Sequence, residues 1–226
     1  MKGKKFWQKV FNIALLITGA IFFISPKVEA ANYYIGIVGI ESRVKNINLG
    51  EYTNLENLDK QPLVYAQEVF ADILTTDLPS LGLIGVDRTA TAKMARQSEA
   101  EFQRVQKTMS QSISALDNGD TSAAVKLFDR KLDYMIYGYI ANMTITHRES
   151  IANSNITVRI DLTTRIVDAK SGKVVCVATG KGESASRGGT YRKSFQMGGK
   201  EISEECWHEA LEKAMNQIVD RIKKQV

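Results

Sequence analysis

The sequence is short of histidine, cysteine and proline, and these shortages exclude several kinds of chemistry. Its 226 residues include 2 His, 2 Cys and 3 Pro. A histidine-based catalytic triad or a multi-histidine zinc site therefore has little material. The spacings C-x-x-C, H-E-x-x-H and the EF-hand loop do not occur in the sequence. We expect no metal, no other cofactor and no enzymatic activity.

The sequence also lacks an apolar run long enough for a permanent membrane span. Residues 10–24 (VFNIALLITGAIFFI) are nearly all apolar, but a spanning helix needs about twenty such residues. Four lysines precede this run, and Val28 and Ala30 place modest or small side chains in an A-x-A-like pattern before Ala31. This order is typical of a secretory signal peptide. We predict a signal at 1–30 that is cleaved after Ala30, an uncleaved anchor being the alternative.

The predicted leader carries most of the positive charge. The whole chain has a formal net charge of +5. Residues 1–30 contain five Lys and one Glu, a net +4, so the remaining chain is near +1. That balance excludes a typical nucleic-acid binder, which needs clustered surplus cations. We expect a periplasmic or secreted protein without stable membrane insertion, because no cysteine that could be lipidated follows the cleavage site.

The remaining residues, 31–226, fit a single domain. Apolar periodicity predicts these elements in its first half: a strand at 33–40, a helix at 63–78, a strand at 83–86, a long helix beginning at Thr89 or Thr91, and a short helix at 121–131. In the second half it predicts strands at 133–145, 156–167 and 174–179, then a helix at 201–224. This order predicts an α/β fold with a mixed, largely antiparallel sheet and helices packed mainly on one face.

The strand at 156–167 has the clearest pattern, since apolar and polar residues alternate along it. Its polar side is a candidate interaction face, made of Thr157, Arg159, Asp161, Thr163 and Arg165. A plain solvated sheet face is the alternative. The polar segments 147–155 and 180–200 are predicted loops and further candidates for binding.

The two cysteines, Cys176 and Cys206, lie far apart in the sequence and would meet oxidising conditions after export. A disulfide between them is one alternative. The other is a pair of buried thiols that act as small apolar side chains.

Several strand and turn segments resemble the CsgG-like family of cell-envelope proteins. They are 133–140 (DYMIYGYI), 159–162 (RIDL), 165–175 (RIVDAKSGKVV), 180–184 (GKGES) and 210–214 (ALEKA). The family includes the curli secretion channel and periplasmic activators of penicillin-binding proteins. The resemblance implies an exported, non-catalytic protein that binds other envelope proteins as a scaffold or regulator of surface assembly, secretion or wall synthesis, and that is able to form homo-oligomers.

Two alternatives belong to other functional classes. An oligomeric secretion-pore subunit would need inserted membrane-spanning hairpins, whose strands take about nine to eleven residues each, and segments 147–155 and 180–200 are too short or too polar. An envelope hydrolase would use Ser184, but the run 182–186 (GESAS) lacks the last glycine of the G-x-S-x-G motif.

Overall fold

The computed structural model describes residues 33–44, 48–49, 52–53, 60–87, 99–149, 154–187, 194–197 and 200–225. The predicted leader, its cleavage after Ala30 and the helix start at Thr89 or Thr91 lie outside these residues. The division into a signal and a mature domain therefore stays a prediction.

Seven strands of the described residues form one mixed sheet. They are β1 (Tyr33–Ser42), β2 (Asn48–Leu49), β3 (Tyr52–Thr53), β4 (Leu83–Asp87), β5 (Tyr134–Glu149), β6 (Ser154–Asp168) and β7 (Val174–Arg187). β1 lies between β4 and β5 and is parallel to both. β5, β6 and β7 then form an antiparallel meander. The short β2 pairs with β5 beyond the end of β1.

Four helices of the described residues pack on this sheet: α1 (Lys60–Asp77), α2 (Glu99–Asp117), α3 (Ser122–Val125) and α4 (Glu204–Lys223). A 3-10 turn (Leu78–Leu81) follows α1, and β8 (Ser194–Met197) and β9 (Lys200–Ser203) form a separate hairpin before α4. α4 begins where the Ser203 hydroxyl accepts a hydrogen bond from the Cys206 amide at 3.1 Å. Acidic residues in its first turn and basic ones in its last favour the helix dipole.

The alternation of side chains along β5 assigns the helices to the two faces. Ile136 and Ile140 lie in the larger apolar cluster with residues of α1 and α4. Met135 and Tyr137 point the other way, into a cluster with residues of α2 and α3. The predicted α/β fold, a single domain with a mixed sheet, is confirmed. Among the described helices, α2 and α3 cover the second face near the start of β5, whereas α1 and α4 form the main helical layer.

Three strand boundaries differ from the sequence-based expectation in the segments predicted as loops. β5 continues to Glu149, β6 begins at Ser154 and β7 continues to Arg187, so the loops predicted at 147–155 and 180–200 are wrong over much of their length. In the second of these segments, glycines were the misleading signal. A Cβ atom on Gly182 would lie 1.7 Å from the carbonyl oxygen of Ala210 in α4. Gly182 therefore marks a close approach of helix and strand and not a flexible loop.

The outer edge of β7 is covered by polar side chains of α4. The Gln217 side chain accepts a hydrogen bond from the Lys181 amide at 3.1 Å and donates one to the Lys181 carbonyl at 2.7 Å. Lys213 Nζ donates to the Glu183 carbonyl at 3.1 Å. These bonds satisfy backbone groups that would otherwise be free to pair with a strand of another chain.

Both cysteines are free, buried thiols. Burial raises the pKa of Cys176, and its thiol donates to Gln225 Oε1 at 3.1 Å. Gln225 follows the end of α4, whereas Cys206 lies in its first turn, about 28 Å away at 1.5 Å per residue. A disulfide needs Cα atoms within about 7 Å, so the fold does not form the bridge that was one of the two alternatives.

Candidate interaction face

The side of β5, β6 and β7 that points away from α1 and α4 is the candidate site, called here the outer face. Its β6 members are the five predicted residues, Thr157, Arg159, Asp161, Thr163 and Arg165, and each is exposed or half-buried. The residues between them, including Val158 and Ile160, are buried in the larger apolar cluster. Strict strand alternation explains why the sequence pattern places these five side chains correctly on one face.

The strand register brings polar residues of β5 and β7 beside those of β6. Arg159 lies opposite Thr144 of β5 and Glu183 of β7, and Asp161 is opposite Asn142 and Lys181. Together with Gly182, these residues line a depression of about 460 Å³. The outer face is therefore a concave polar surface built by three strands.

Four charged residues of this depression form an arrangement that we call the charge square: Arg159, Asp161, Lys181 and Glu183. Arg159 Nε lies 2.6 Å from Glu183 Oε2, and Lys181 Nζ lies 3.7 Å from Asp161 Oδ1. The hydrogen bond from Arg159 holds the pKa of Glu183 below its usual value. The signs alternate both along each strand and between strands. Exposed ion pairs of this kind contribute little to folding, so little stability would be lost if these charges exchanged their partners for those of another protein.

The opposite end of the outer face is closed by the C-terminus of α2. Asp117 Oδ1 accepts hydrogen bonds from the Tyr137 hydroxyl at 2.7 Å and from Arg165 Nη1 at 2.8 Å. Arg43, at the end of β1, binds the other carboxylate oxygen of Asp117. The structure thus divides the predicted face by partner: the half-buried Arg165 binds Asp117, whereas Arg159 and Asp161 pair with residues of β7.

The Asp117 cluster shifts the pKa values of Asp117 and Tyr137 in opposite directions. Burial alone would raise the pKa of Asp117, but hydrogen bonds from Tyr137 and Arg43 and the charges of Arg43 and Arg165 outweigh it and lower the pKa. Burial, followed by the hydrogen bond to Asp117, raises the pKa of Tyr137 to about 12. Asp117 is therefore ionised and Tyr137 protonated at neutral pH. No sequence pattern indicates this cluster, because its members are joined only by the tertiary fold.

Ser184, the residue that a hydrolase would use, lies on the other side of β7. It is 4% exposed, and its hydroxyl donates to Glu209 Oε2 of α4 at 2.6 Å. Hydrogen bonds from Lys213 and then from Ser184 lower the pKa of Glu209, which makes it a weaker base. His208 is exposed and lies 3.9 Å from Glu212. Ser184 therefore ties β7 to α4 and offers no accessible nucleophile.

Among the residues that the structure describes, no group of three or more His, Cys, Asp and Glu side chains is placed to hold a metal ion. No helix in the described part of the chain is both long and apolar enough to cross a membrane.

No family model and no curated protein matches the chain, so the CsgG-like resemblance stays a prediction. Some solved structures are similar to the chain, with low TM-scores and low sequence identity. One is lipoprotein GNA1162 from Neisseria meningitidis, with a TM-score of 0.36 and 13% identity over 68% of this chain and 84% of that chain. Another is the hypothetical protein CT253 from Chlamydia trachomatis, with a TM-score of 0.40 and 10% identity over 86% and 95%.

A third similar structure is the PelC dodecamer from Paraburkholderia phytofirmans, with a TM-score of 0.35 and 10% identity over 85% of this chain and 91% of that chain. Identities of 10–13% and TM-scores of 0.40 or below carry no argument about what this chain does. The function has to be inferred from its own residues.

Proposed function

We propose that the chain is an exported, non-catalytic protein of the cell envelope that binds other proteins through the outer face. In this role it is a scaffold or regulator of surface assembly, secretion or cell-wall synthesis. The apolar leader at 1–30 supports the export, and the CsgG-like segments support the setting. The observation that carries the binding role is the depression of about 460 Å³ on the outer face, lined by exposed charges from β6 and β7.

The chemistry of the depression favours recognition over catalysis. Both carboxylates of the charge square are engaged by cations, Glu183 by Arg159 and Asp161 by Lys181. A general acid at neutral pH would need a raised pKa, whereas the pKa of Glu183 is lowered. Such residues suit a partner that offers opposite charges in matching positions.

The two alternative functions are less well supported. A hydrolase that uses Ser184 would need that hydroxyl at the surface, and it is buried beneath α4. A pore subunit would need an inserted hairpin between the central strands. β5 ends at Glu149 and β6 begins at Ser154, a connection shorter than one membrane-spanning strand of about nine to eleven residues.

Site-specific photo-crosslinking in living cells tests the proposal. A photoreactive amino acid at Asn142, exposed on the outer face, should give crosslinks to envelope proteins. The matched control is the same amino acid at Asn216, exposed on α4, which should give few. Equal yields from both positions, or none from Asn142, would contradict binding through this face. Recovery of the whole chain in the cytosol, with its first methionine, would contradict export.

A further inference from the structure

We infer that the outer face binds a second copy of this chain, so that two charge squares meet in a symmetric dimer. The inference rests on the proposed function, since it names a partner for the same face. It comes from the pattern of charge. Along β6, Arg159 is followed by Asp161 on the same face, and β7 has Glu183 and Lys181 opposite them.

This pattern is complementary to itself under a twofold rotation. Consider an axis that lies in the outer face, midway between β6 and β7 and parallel to both. Rotation about it places β7 of the partner over β6 without a shift along the strands. Arg159 then faces the partner's Glu183, and Asp161 faces the partner's Lys181. All four charges of each copy meet opposite charges, as an isologous interface requires.

The exposures of the four side chains also fit. Lys181 is the most exposed, at 80%, and Asp161 the least, at 35%. Asp161 lines the depression with Asn142 and Thr144. The long, protruding Lys181 of one copy therefore matches the hollow around Asp161 of the other. The same fit occurs twice, once on each side of the axis.

The size of the face predicts a weak dimer. The part that α2 leaves open is three strands wide and about ten residues long, which covers about 450 Å² at the usual strand spacing and rise. Two copies would bury about 900 Å², in the range of weak, concentration-dependent complexes. Since the contacts are ionic and partly exposed, added salt should weaken the dimer.

Two single variants and their mixture test the inference. In a dimer of the Lys181→Glu variant, an acid faces Asp161 of the other copy on both sides of the axis. The dimer dissociation constant of this variant should therefore rise roughly tenfold or more. Asp161→Lys should do the same with two cations. An equimolar mixture should dimerise as the wild type does, because each acid then faces a lysine. The measurement is sedimentation velocity of the full chain, produced with its own leader, at several concentrations. The matched surface controls are Lys170→Glu and Asp129→Lys, both exposed and away from the square.

Restored dimerisation in the mixture would support the inference, because two variants that had lost dimerisation through misfolding would not recover it when mixed. A wild-type chain that stays monomeric at high concentration would overturn it, as would a mixture that remains monomeric. The crosslinking from Asn142 separates this outcome from failure of the proposed function. Crosslinks to other envelope proteins alone would leave the proposed function standing and refute the dimer, whereas no crosslinks at all would refute both.

Discussion

Replacing Asp117 by asparagine tests whether the cluster at the end of α2 holds that helix on the sheet. The substitution keeps the shape of the side chain and removes its charge. Asp117 accepts hydrogen bonds from Tyr137 and Arg165 and binds Arg43. In the variant, Arg165 would lose its carboxylate partner and Arg43 would keep only Glu41 among the described residues, and the new amide group would direct hydrogens at one of these guanidinium groups.

The size of the effect follows from the burial of the cluster. The Asp117 side chain is 22% exposed, so the bonds are worth more than those of a surface pair and less than those of a fully buried one. A hydrogen bond to a charged group contributes about 1.5–3 kcal/mol. We expect Asp117→Asn to lower the free energy of unfolding by about 2 kcal/mol. That loss corresponds to a fall in Tm of about 4–8 °C in a domain of this size.

The pH dependence gives the sharper check. Because folding lowers the pKa of Asp117, its contribution is complete above the unfolded-state value of about 3.9. The contribution is lost as the pH falls through the lower value of the folded state. Wild type and variant should therefore differ in thermal or urea unfolding at neutral pH and converge as the pH falls through the lowered folded-state pKa of Asp117. Asp129→Asn, at an exposed position, controls for the change in net charge. A Tm loss no greater than that control, or one that persists at low pH, would refute the reasoning.

Three further predictions concern the core. Gly182→Ala should lower the free energy of unfolding, measured in urea, by about 3 kcal/mol or more, since its Cβ atom would lie 1.7 Å from the backbone of α4. The control Gly85→Ala, whose Cβ atom would lie 3.4 Å from its nearest neighbour, should be near neutral in the same measurement. Cys176 and Cys206 should label equally with and without reductant, and only after denaturation; a mass shift on reduction would contradict this. Trp207→Phe should lower the free energy of unfolding in urea by about 2–4 kcal/mol, because it leaves a cavity and removes the 3.0 Å hydrogen bond from the indole to the Pro62 carbonyl. An unchanged urea midpoint would refute this prediction.

The parts of the fold that the sequence predicted are those with local periodicity. Burial alternates along β6 from Ile156 to Ile166, so its two faces and the outward position of the five side chains were assigned correctly, although the inward Thr164 is polar. The helix predicted at 201–224 corresponds to α4, in which Ala210, Ala214 and Ile218 are buried. Where one face of an element meets the core, the period alone specifies which residues lie inward.

The parts that it missed depend on contacts between distant segments. Gly180 and Gly182 indicated a loop, because a local pattern cannot show that the backbone of α4 approaches β7 too closely for any side chain. The Asp117 cluster was not predicted, since Arg43 and Tyr137 reach Asp117 only through the sheet. Two of the four residues of the charge square were identified from the sequence. Arg159 and Asp161 were identified on β6, but their pairing with β7 needed the register across the hairpin.

The way α4 covers the edge of β7 determines how a partner can meet this sheet. With Gln217 bound to both backbone groups of Lys181, and Lys213 bound to the carbonyl of Glu183, the middle of the edge offers no free ladder for an added strand. Recognition then falls to the side chains of the outer face, where Arg159 and Lys181 are largely exposed. Binding by strand addition would depend mainly on backbone hydrogen bonds, so its affinity would respond weakly to salt. Binding through exposed charges should weaken with added salt, because the Debye length shortens from about 10 Å at 0.1 M to about 3 Å at 1 M salt. A complex whose affinity is unchanged over that range would place the contact elsewhere on the molecule.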